Sequence, residues 1–64
     1  MNRLKELREA SGLSQSQLAK KADVNVWTIQ SYETGRRSIL KAEIGIMHKL
    51  AKALDVQIED FIKE

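Results

Sequence analysis

The feature that most constrains this chain is a stretch from Ser14 to Gly35 that carries two helix start signals and two helix stop signals. Ser14 is a favourable N-cap, and Gln17 completes a capping box with it, so a helix is predicted to begin near Gln15. The apolar residues of this helix share one face at helical spacing: Leu18, Ala19 and Ala22. The stretch therefore begins with a short helix that buries a single face.

A short break and a second helix follow within the same stretch. The pattern stops at residues 23–25, where Asp and Asn tolerate turn conformations, and Asn25 is suited to cap a helix that begins at Val26. This helix is predicted to end at Gly35, because glycine readily adopts the left-handed conformation of a helix stop. Its predicted inward residues are Ile29 and Tyr32. Two helices joined by a tight turn are typical of DNA-binding proteins, but also of many small bundles.

Helical patterns outside this stretch predict three further helices. The first runs from Asn2, its predicted cap, to Ser11 and stops at Gly12, with Leu13 folding back onto it. The fourth helix is predicted over residues 39–54. A loop at residues 56–57 leads into the fifth helix, which is predicted over residues 58–63. The apolar repeat of the fourth consists of Leu40, Ile44, Met47, Leu50, Ala51 and Leu54. The sequence therefore predicts an all-α fold.

Composition narrows the classes of function. At 64 residues the chain is expected to form one domain over residues 1–64, at the small end of what folds without disulfides, metal ions or a partner subunit. It has no cysteine and a single histidine, His48, so we expect no metal site, no cofactor and a cytoplasmic location. No apolar run approaches the roughly 18 residues that span a bilayer. Because no carboxylate pair, activated nucleophile or phosphate-binding glycine loop stands out, we do not expect an enzyme.

Charge is distributed unevenly along the chain. Residues 1–54 hold ten Lys or Arg against five Asp or Glu, whereas residues 55–64 hold one against four. A basic body with an acidic tail is typical of a protein that docks one face onto phosphate groups. A chance imbalance on a solvated surface is the alternative for so few charges.

Several segments carry a resemblance to a known family. They are RLKELR at residues 3–8, LSQSQLA at residues 13–19, Ile29, YETG at residues 32–35 and LAKAL at residues 50–54. Together they resemble the helix-turn-helix domain of the phage repressor and Cro superfamily, also called the xenobiotic response element family. The resemblance covers nearly the whole chain. It implies a compact five-helix bundle of the lambda-repressor-like DNA-binding type, in which helices 2 and 3 form the helix-turn-helix.

The resemblance also implies roles for individual residues. Arg8 and Glu33 match the positions of a partly buried ion pair that joins the first helix to the third helix, which is called the recognition helix in this family. The residues implied to contact DNA phosphates are Gln15, Arg36, Arg37 and Ser38. Gln15 opens the second helix, where unpaired N–H groups attract anions. The alternative for the two arginines is a plain basic loop.

The predicted base-reading surface is the outward face of the third helix. Its candidates, once the inward residues are removed, are Val26, Trp27, Gln30 and Ser31. Trp27 is suited to contact a thymine methyl or the DNA backbone, while Gln30 suits adenine. A core or dimer contact is the alternative for Trp27. Because this face offers no Arg or Asn, we expect modest specificity or specificity that depends on DNA shape.

These observations predict a regulator that binds double-stranded DNA in a sequence-specific manner, as a repressor that occludes a promoter. Two alternatives stay open: an antitoxin that binds DNA and also a toxin, and a helical module that binds only protein. A toxin or an antirepressor is a possible protein partner, and the sequence does not decide whether one exists. The chain is either a homodimer, with contacts at Ile58, Phe61 and Ile62, or a monomer that packs all three inside.

Overall fold

The computed structural model describes residues 3–61, apart from the side chain of Leu40. These residues form four α-helices and no strand: α1 (Leu4–Ala10), α2 (Gln15–Ala22), α3 (Val26–Glu33) and α4 (Ile44–Leu54). Two short 3₁₀ helices, Ile39–Lys41 and Ile58–Phe61, flank α4. The predicted all-α class is confirmed, but the predicted five-helix bundle is wrong, because residues 3–61 form four α-helices.

The ends of α2 and α3 agree with the local signals in the sequence. The Gln17 N–H donates to Ser14 Oγ at 3.0 Å, and the Ser14 N–H donates to Gln17 Oε1 at 2.8 Å, which completes the capping box. Asn25 caps α3 by accepting a hydrogen bond of 2.7 Å from the Trp27 N–H. Gly35 follows α3 with a φ of 82°. The predicted helix-turn-helix is therefore confirmed.

Removing the cap of α2 tests the contribution of this local signal. Ser14→Ala is expected to lower the free energy of unfolding by about 1 kcal/mol, because the Gln17 N–H loses its partner, Ser14 Oγ. Urea titration followed by circular dichroism measures the change. The matched control is Ser16→Ala, an exposed serine in the same helix, which should change the value by no more than about 0.5 kcal/mol. Equal values for the two variants would contradict the role of the cap.

The first helix begins later than predicted. Arg3 lies at its N-cap position without a side-chain capping bond, and the predicted cap, Asn2, lies outside the described residues. Its end agrees with the prediction: Gly12 has a φ of 73°, and the Leu13 N–H donates to the Arg8 carbonyl at 3.3 Å. Leu13 is half-buried against the core. After this glycine stop, the chain continues directly to Ser14 and the capping box of α2.

The helices α2 and α4 end in the same way. Asp23 and Asp55, which follow them, both adopt the left-handed conformation, with φ of 57° and 58°. The next residue closes each turn: the Val24 N–H donates to the Ala19 carbonyl, and the Val56 N–H donates to the Ala51 carbonyl. An Asp tolerates this conformation better than most residues other than glycine. The turn between α2 and α3 is therefore tight without a glycine.

The prediction of one continuous helix over residues 39–54 is wrong. The chain forms the 3₁₀ helix Ile39–Lys41, becomes extended at Glu43, and only then begins α4. Apolar spacing alone could not separate these cases, because Ile39 is buried in a short turn as it would be in a longer helix. Ile44, predicted to face inward, is 70% exposed in the first turn of α4.

The predicted final helix over residues 58–63 is also wrong in type. Residues 58–61 form a 3₁₀ helix, and residues 62–63 lie outside the described residues. The Gln57 N–H donates to Asp60 Oδ2 at 2.9 Å, while the Asp60 N–H donates to the Gln57 carbonyl at 3.0 Å. The backbone bond from Asp60 to Gln57 spans three residues, which is the bond of a 3₁₀ turn.

The hydrophobic core is formed by all four helices and both 3₁₀ helices. Its buried apolar residues are Leu4, Leu18, Ala19, Ala22, Ile29, Tyr32, Ile39, Met47, Leu50, Ala51, Ala53, Leu54 and Phe61. Helix α2 packs against both α3 and α4, so α3 is held by its inner side while its outer side faces solvent. None of the helices within residues 3–61 is long and apolar enough to cross a membrane.

Candidate nucleic-acid interface

The outer side of α3 carries two of the four side chains that the sequence assigned to it. Trp27 is 52% exposed, and Gln30 is also exposed. Val26 is half-buried and packs against the core. Ser31 is only 3% exposed, so its predicted place on the exposed face is wrong. The available surface of this helix is therefore formed mainly by Trp27 and Gln30.

The burial of Ser31 follows from the path of the chain after α3. Its hydroxyl donates to the Trp27 carbonyl at 2.9 Å, as serines within helices often do. The loop then folds back, and the Arg37 N–H donates to the Ser31 carbonyl at 3.1 Å. A prediction based on helical periodicity assumes that the Ser31 side of α3 faces solvent, because periodicity does not show that the following loop covers it.

The loop that returns over α3 brings a cationic side chain onto this helix. The guanidinium carbon of Arg37 lies 5.3 Å from the centroid of the Trp27 ring, within the range of a cation–π contact. The residues that precede and follow it, Arg36 and Ser38, are exposed. The sequence did not reveal this contact, because ten residues separate the two side chains and their proximity depends on the loop.

A basic groove lies between α3 and the segment that leads to α4. Its lining includes Thr28, Tyr32, Arg36, Arg37, Ser38 and Lys41. The lining contains three cationic residues and one acidic residue, Glu43. Such a groove suits an anion, and the hydroxyl groups in its lining can donate hydrogen bonds to phosphate oxygens. Lys41 was not among the predicted phosphate contacts, although the basic loop already pointed to this region.

A partly buried ion pair holds α1 against the end of α3. Arg8 Nε donates to Glu33 Oε2 at 2.7 Å, and Arg8 Nη2 donates to Glu33 Oε1 at 3.2 Å. The third donor, Arg8 Nη1, binds the Leu13 carbonyl at 2.8 Å. The side chains are only 11% and 3% exposed. The structure thus contains the pair that the resemblance implied.

The electrostatic environment of this pair favours the charged form of the arginine. Hydrogen bonding to the Glu33 carboxylate raises the pKa of Arg8 above its usual value, although burial acts in the opposite direction. The arginine therefore carries its charge at neutral pH.

Gln15 links this ion pair to the exposed surface. Its Nε2 donates to Glu33 Oε1 at 3.0 Å, while its Oε1 accepts a longer bond of 3.4 Å from Gln30 Nε2. A chain of hydrogen bonds thus runs from Arg8 to the outer side of α3. It fixes the orientation of both amides and leaves the carbonyl oxygen and the second N–H of Gln30 for a ligand.

The predicted dimer contacts lie in or beyond the second 3₁₀ helix. Phe61 is completely buried within one chain, which agrees with the alternative in which it packs inside a monomer. Ile58 is half-buried, and Ile62 lies outside the described residues. Within residues 3–61, no group of three or more His, Cys, Asp or Glu side chains is placed to hold a metal ion.

A comparison with family models decides the class of this protein. A model described as helix-turn-helix matches residues 4–61, which is nearly the whole chain. The chain belongs to the Cro/C1-type helix-turn-helix family. As a member, it is a DNA-binding protein of transcription regulation. No curated protein gave a significant match. In this helix-turn-helix protein, α2 and α3 form the motif that gives the family its name.

Proposed function

We propose that this protein binds a specific double-stranded DNA sequence and represses transcription by occluding a promoter. The observation that carries the proposal is the arrangement on one side of the motif, where exposed Trp27 and Gln30 adjoin the basic loop with Arg36 and Arg37. A base-reading helix flanked by phosphate-binding cations is the arrangement that major-groove recognition requires.

The base contacts in this proposal come from the exposed side chains of α3. Gln30 suits a bidentate contact with adenine, because its carbonyl oxygen can accept from N6 while its second N–H donates to N7. The link to Gln15 fixes the amide in advance, which lowers the entropy that binding would otherwise cost. Trp27 offers a large apolar surface to a thymine methyl or to the sugar-phosphate backbone. Ser31, which is buried, is not part of this proposal.

The phosphate contacts come from the groove and from the start of α2. Arg36, Arg37 and Lys41 supply positive charge, and Ser38 supplies a hydroxyl. Gln15 lies at the first position of α2, where helix N–H groups favour an anion. These contacts orient the protein on the duplex, but they carry no sequence information of their own.

Specificity is expected to depend on few direct contacts. The exposed side of α3 has no Arg or Asn for the common bidentate contacts with guanine and adenine, which leaves Gln30 as its one bidentate donor. Each such contact discriminates by about 1–3 kcal/mol against the wrong base. The rest of the preference is therefore expected to come from DNA shape and deformability.

Selection from a random duplex pool tests this proposal. Rounds of binding at physiological salt should enrich a common sequence that contains adenine at the positions nearest Gln30. Footprinting should show protection of that site, and transcription from a promoter that overlaps it should fall in proportion to occupancy. A pool that stays random after selection would contradict sequence-specific binding, whereas protection without loss of transcription would contradict occlusion.

The selected sequence also reports on oligomeric state. Two inverted half-sites about one DNA turn apart, roughly 34–36 Å, would indicate a twofold dimer with one recognition helix per half-site. A single half-site would indicate a monomer. The burial of Phe61 leaves less apolar surface for a dimer than the sequence suggested.

A further inference from the structure

The contact between Arg37 and Trp27 joins two residues that have separate roles in the proposed function. Trp27 belongs to the second position of α3, near its N-terminus, and Arg37 belongs to the loop that follows the helix. The guanidinium lies over the indole ring at 5.3 Å, and the backbone of Arg37 is bound to Ser31. Backbone and side chain thus hold the loop against the same side of α3.

The rotational freedom of Trp27 makes this contact important. Trp27 as a whole residue is 52% exposed, so packing against the protein covers only about half of its surface. Asn25 fixes its backbone N–H, but that bond does not restrict the side chain. The guanidinium is the charged group that covers the ring from the loop. Without it, an exposed indole would sample several rotamers, which weakens any contact that requires one ring orientation.

We propose that Arg37 is a positioning residue that holds the Trp27 indole in the orientation in which it reads DNA, and that it therefore contributes to sequence preference. This inference rests on the proposed function. It differs from a pure phosphate contact, which would weaken binding to every sequence alike. Arg36, the neighbouring arginine without a ring beneath it, remains a phosphate contact of that ordinary kind.

The free protein provides the first test, because Trp27 is the single tryptophan of the chain. Acrylamide is an uncharged quencher, so its access to the indole is not altered by the loss of a charge. Arg37→Ala should raise the acrylamide quenching constant of Trp27, whereas the matched control Arg36→Ala should raise it less, because Arg36 lies beside Trp27 without a cation–π contact. Equal quenching in the two variants would overturn the proposal, and circular dichroism verifies that both are folded.

Binding to DNA provides the second test, with the duplex selected by the unsubstituted protein and a shuffled duplex of the same composition. Arg36→Ala should weaken binding to both duplexes by the same factor. Arg37→Ala should in addition lower the ratio of the two affinities by about two- to fivefold, the value of an exposed cation–π contact. An affinity ratio that changes no more than in Arg36→Ala would overturn the proposal.

A double-mutant comparison separates positioning from a direct base contact by the arginine itself. In a Trp27→Ala background, Arg37→Ala should no longer change the affinity ratio, because no indole remains to be held. A loss of preference that persists in this background would show that Arg37 reads DNA independently of Trp27, and would overturn the proposal. If the unsubstituted protein preferred no duplex, the proposed function would fail, while quenching in the free protein would still decide the positioning contact.

Discussion

Glu33→Ala is expected to lower the free energy of unfolding by about 3–5 kcal/mol, because it leaves the charge of Arg8 without its partner in a largely buried site. The carboxylate accepts hydrogen bonds from Arg8 and from Gln15, and all of them are lost together. The 11% exposure of Arg8 lets some water reach the charge, which places the expected value towards the lower end.

Urea titration followed by circular dichroism measures this effect. Native proteins are stable by roughly 0.05–0.15 kcal/mol per residue, or about 3–10 kcal/mol for 64 residues, so the loss is a large part of the total and the urea midpoint should fall steeply. The matched control is Glu6→Ala, which removes the exposed ion pair between Glu6 and Arg3 and should cost less than about 1 kcal/mol. A similar small cost for Glu33→Ala would contradict the structural role of the buried pair.

A double variant tests whether the cost comes from an isolated buried charge. Arg8→Met with Glu33→Leu replaces both members by apolar side chains and should recover most of the lost stability. Gln15 would still lose its partner at Glu33, so its amide would no longer be fixed. The double variant is therefore expected to fold and yet to bind DNA less tightly than the unsubstituted protein.

Phe61→Ala is expected to have an effect of similar size, about 3–5 kcal/mol. The ring is completely buried, and the Phe61 carbonyl accepts a hydrogen bond of 3.3 Å from the Arg3 N–H, which joins the second 3₁₀ helix to the start of α1. Truncation leaves a cavity where the two ends of the described chain meet. The loss should therefore affect the whole fold.

Protein concentration distinguishes a core residue from a dimer contact in this experiment. The urea midpoint of Phe61→Ala should fall by the same amount at low and high protein concentration, because the ring packs within its own chain. Ile44→Ala, at a 70% exposed position, is the control and should change stability by about 0.5 kcal/mol or less. A loss of dimerisation at unchanged stability would contradict the burial of Phe61.

The parts of the fold that the sequence predicted correctly are those with local causes. The capping box at Ser14, the cap at Asn25 and the stops at Gly12 and Gly35 depend on residues within one or two turns of each other. Such signals are visible in the chain itself. They were sufficient to predict the helix-turn-helix and the direction of its inner faces.

The errors arose where the outcome depends on tertiary structure. Apolar spacing from Ile39 onwards suits both a long helix and a 3₁₀ turn followed by a shorter helix. The burial of Ser31 depends on a loop that returns over α3. The role of Phe61 was left open between a core residue and a dimer contact, because periodicity identifies the apolar side of a helix but not what packs against it. These outcomes required the packed structure.

The site was predictable in its residue types and less so in its connections. Trp27 and Gln30 are exposed on α3, as the helical pattern predicted, and the two arginines that the resemblance implied are exposed in the loop. Their coupling was not, since the bond of Gln15 to Gln30 and the stacking of Arg37 on Trp27 join residues that are far apart in sequence. These two contacts hold the side chains of Gln30 and Trp27 in place before any ligand binds.

The central claim, that this motif recognises a specific duplex, is tested most directly by fluorescence anisotropy at low and at physiological salt. The titrations compare the selected duplex with its shuffled counterpart. We predict that both bind at low salt, that affinity for both falls as salt rises, and that only the selected duplex remains bound at physiological salt. Equal affinities for the two duplexes at every salt concentration would contradict sequence-specific recognition, and a lack of binding even at low salt would contradict recognition of DNA by this surface.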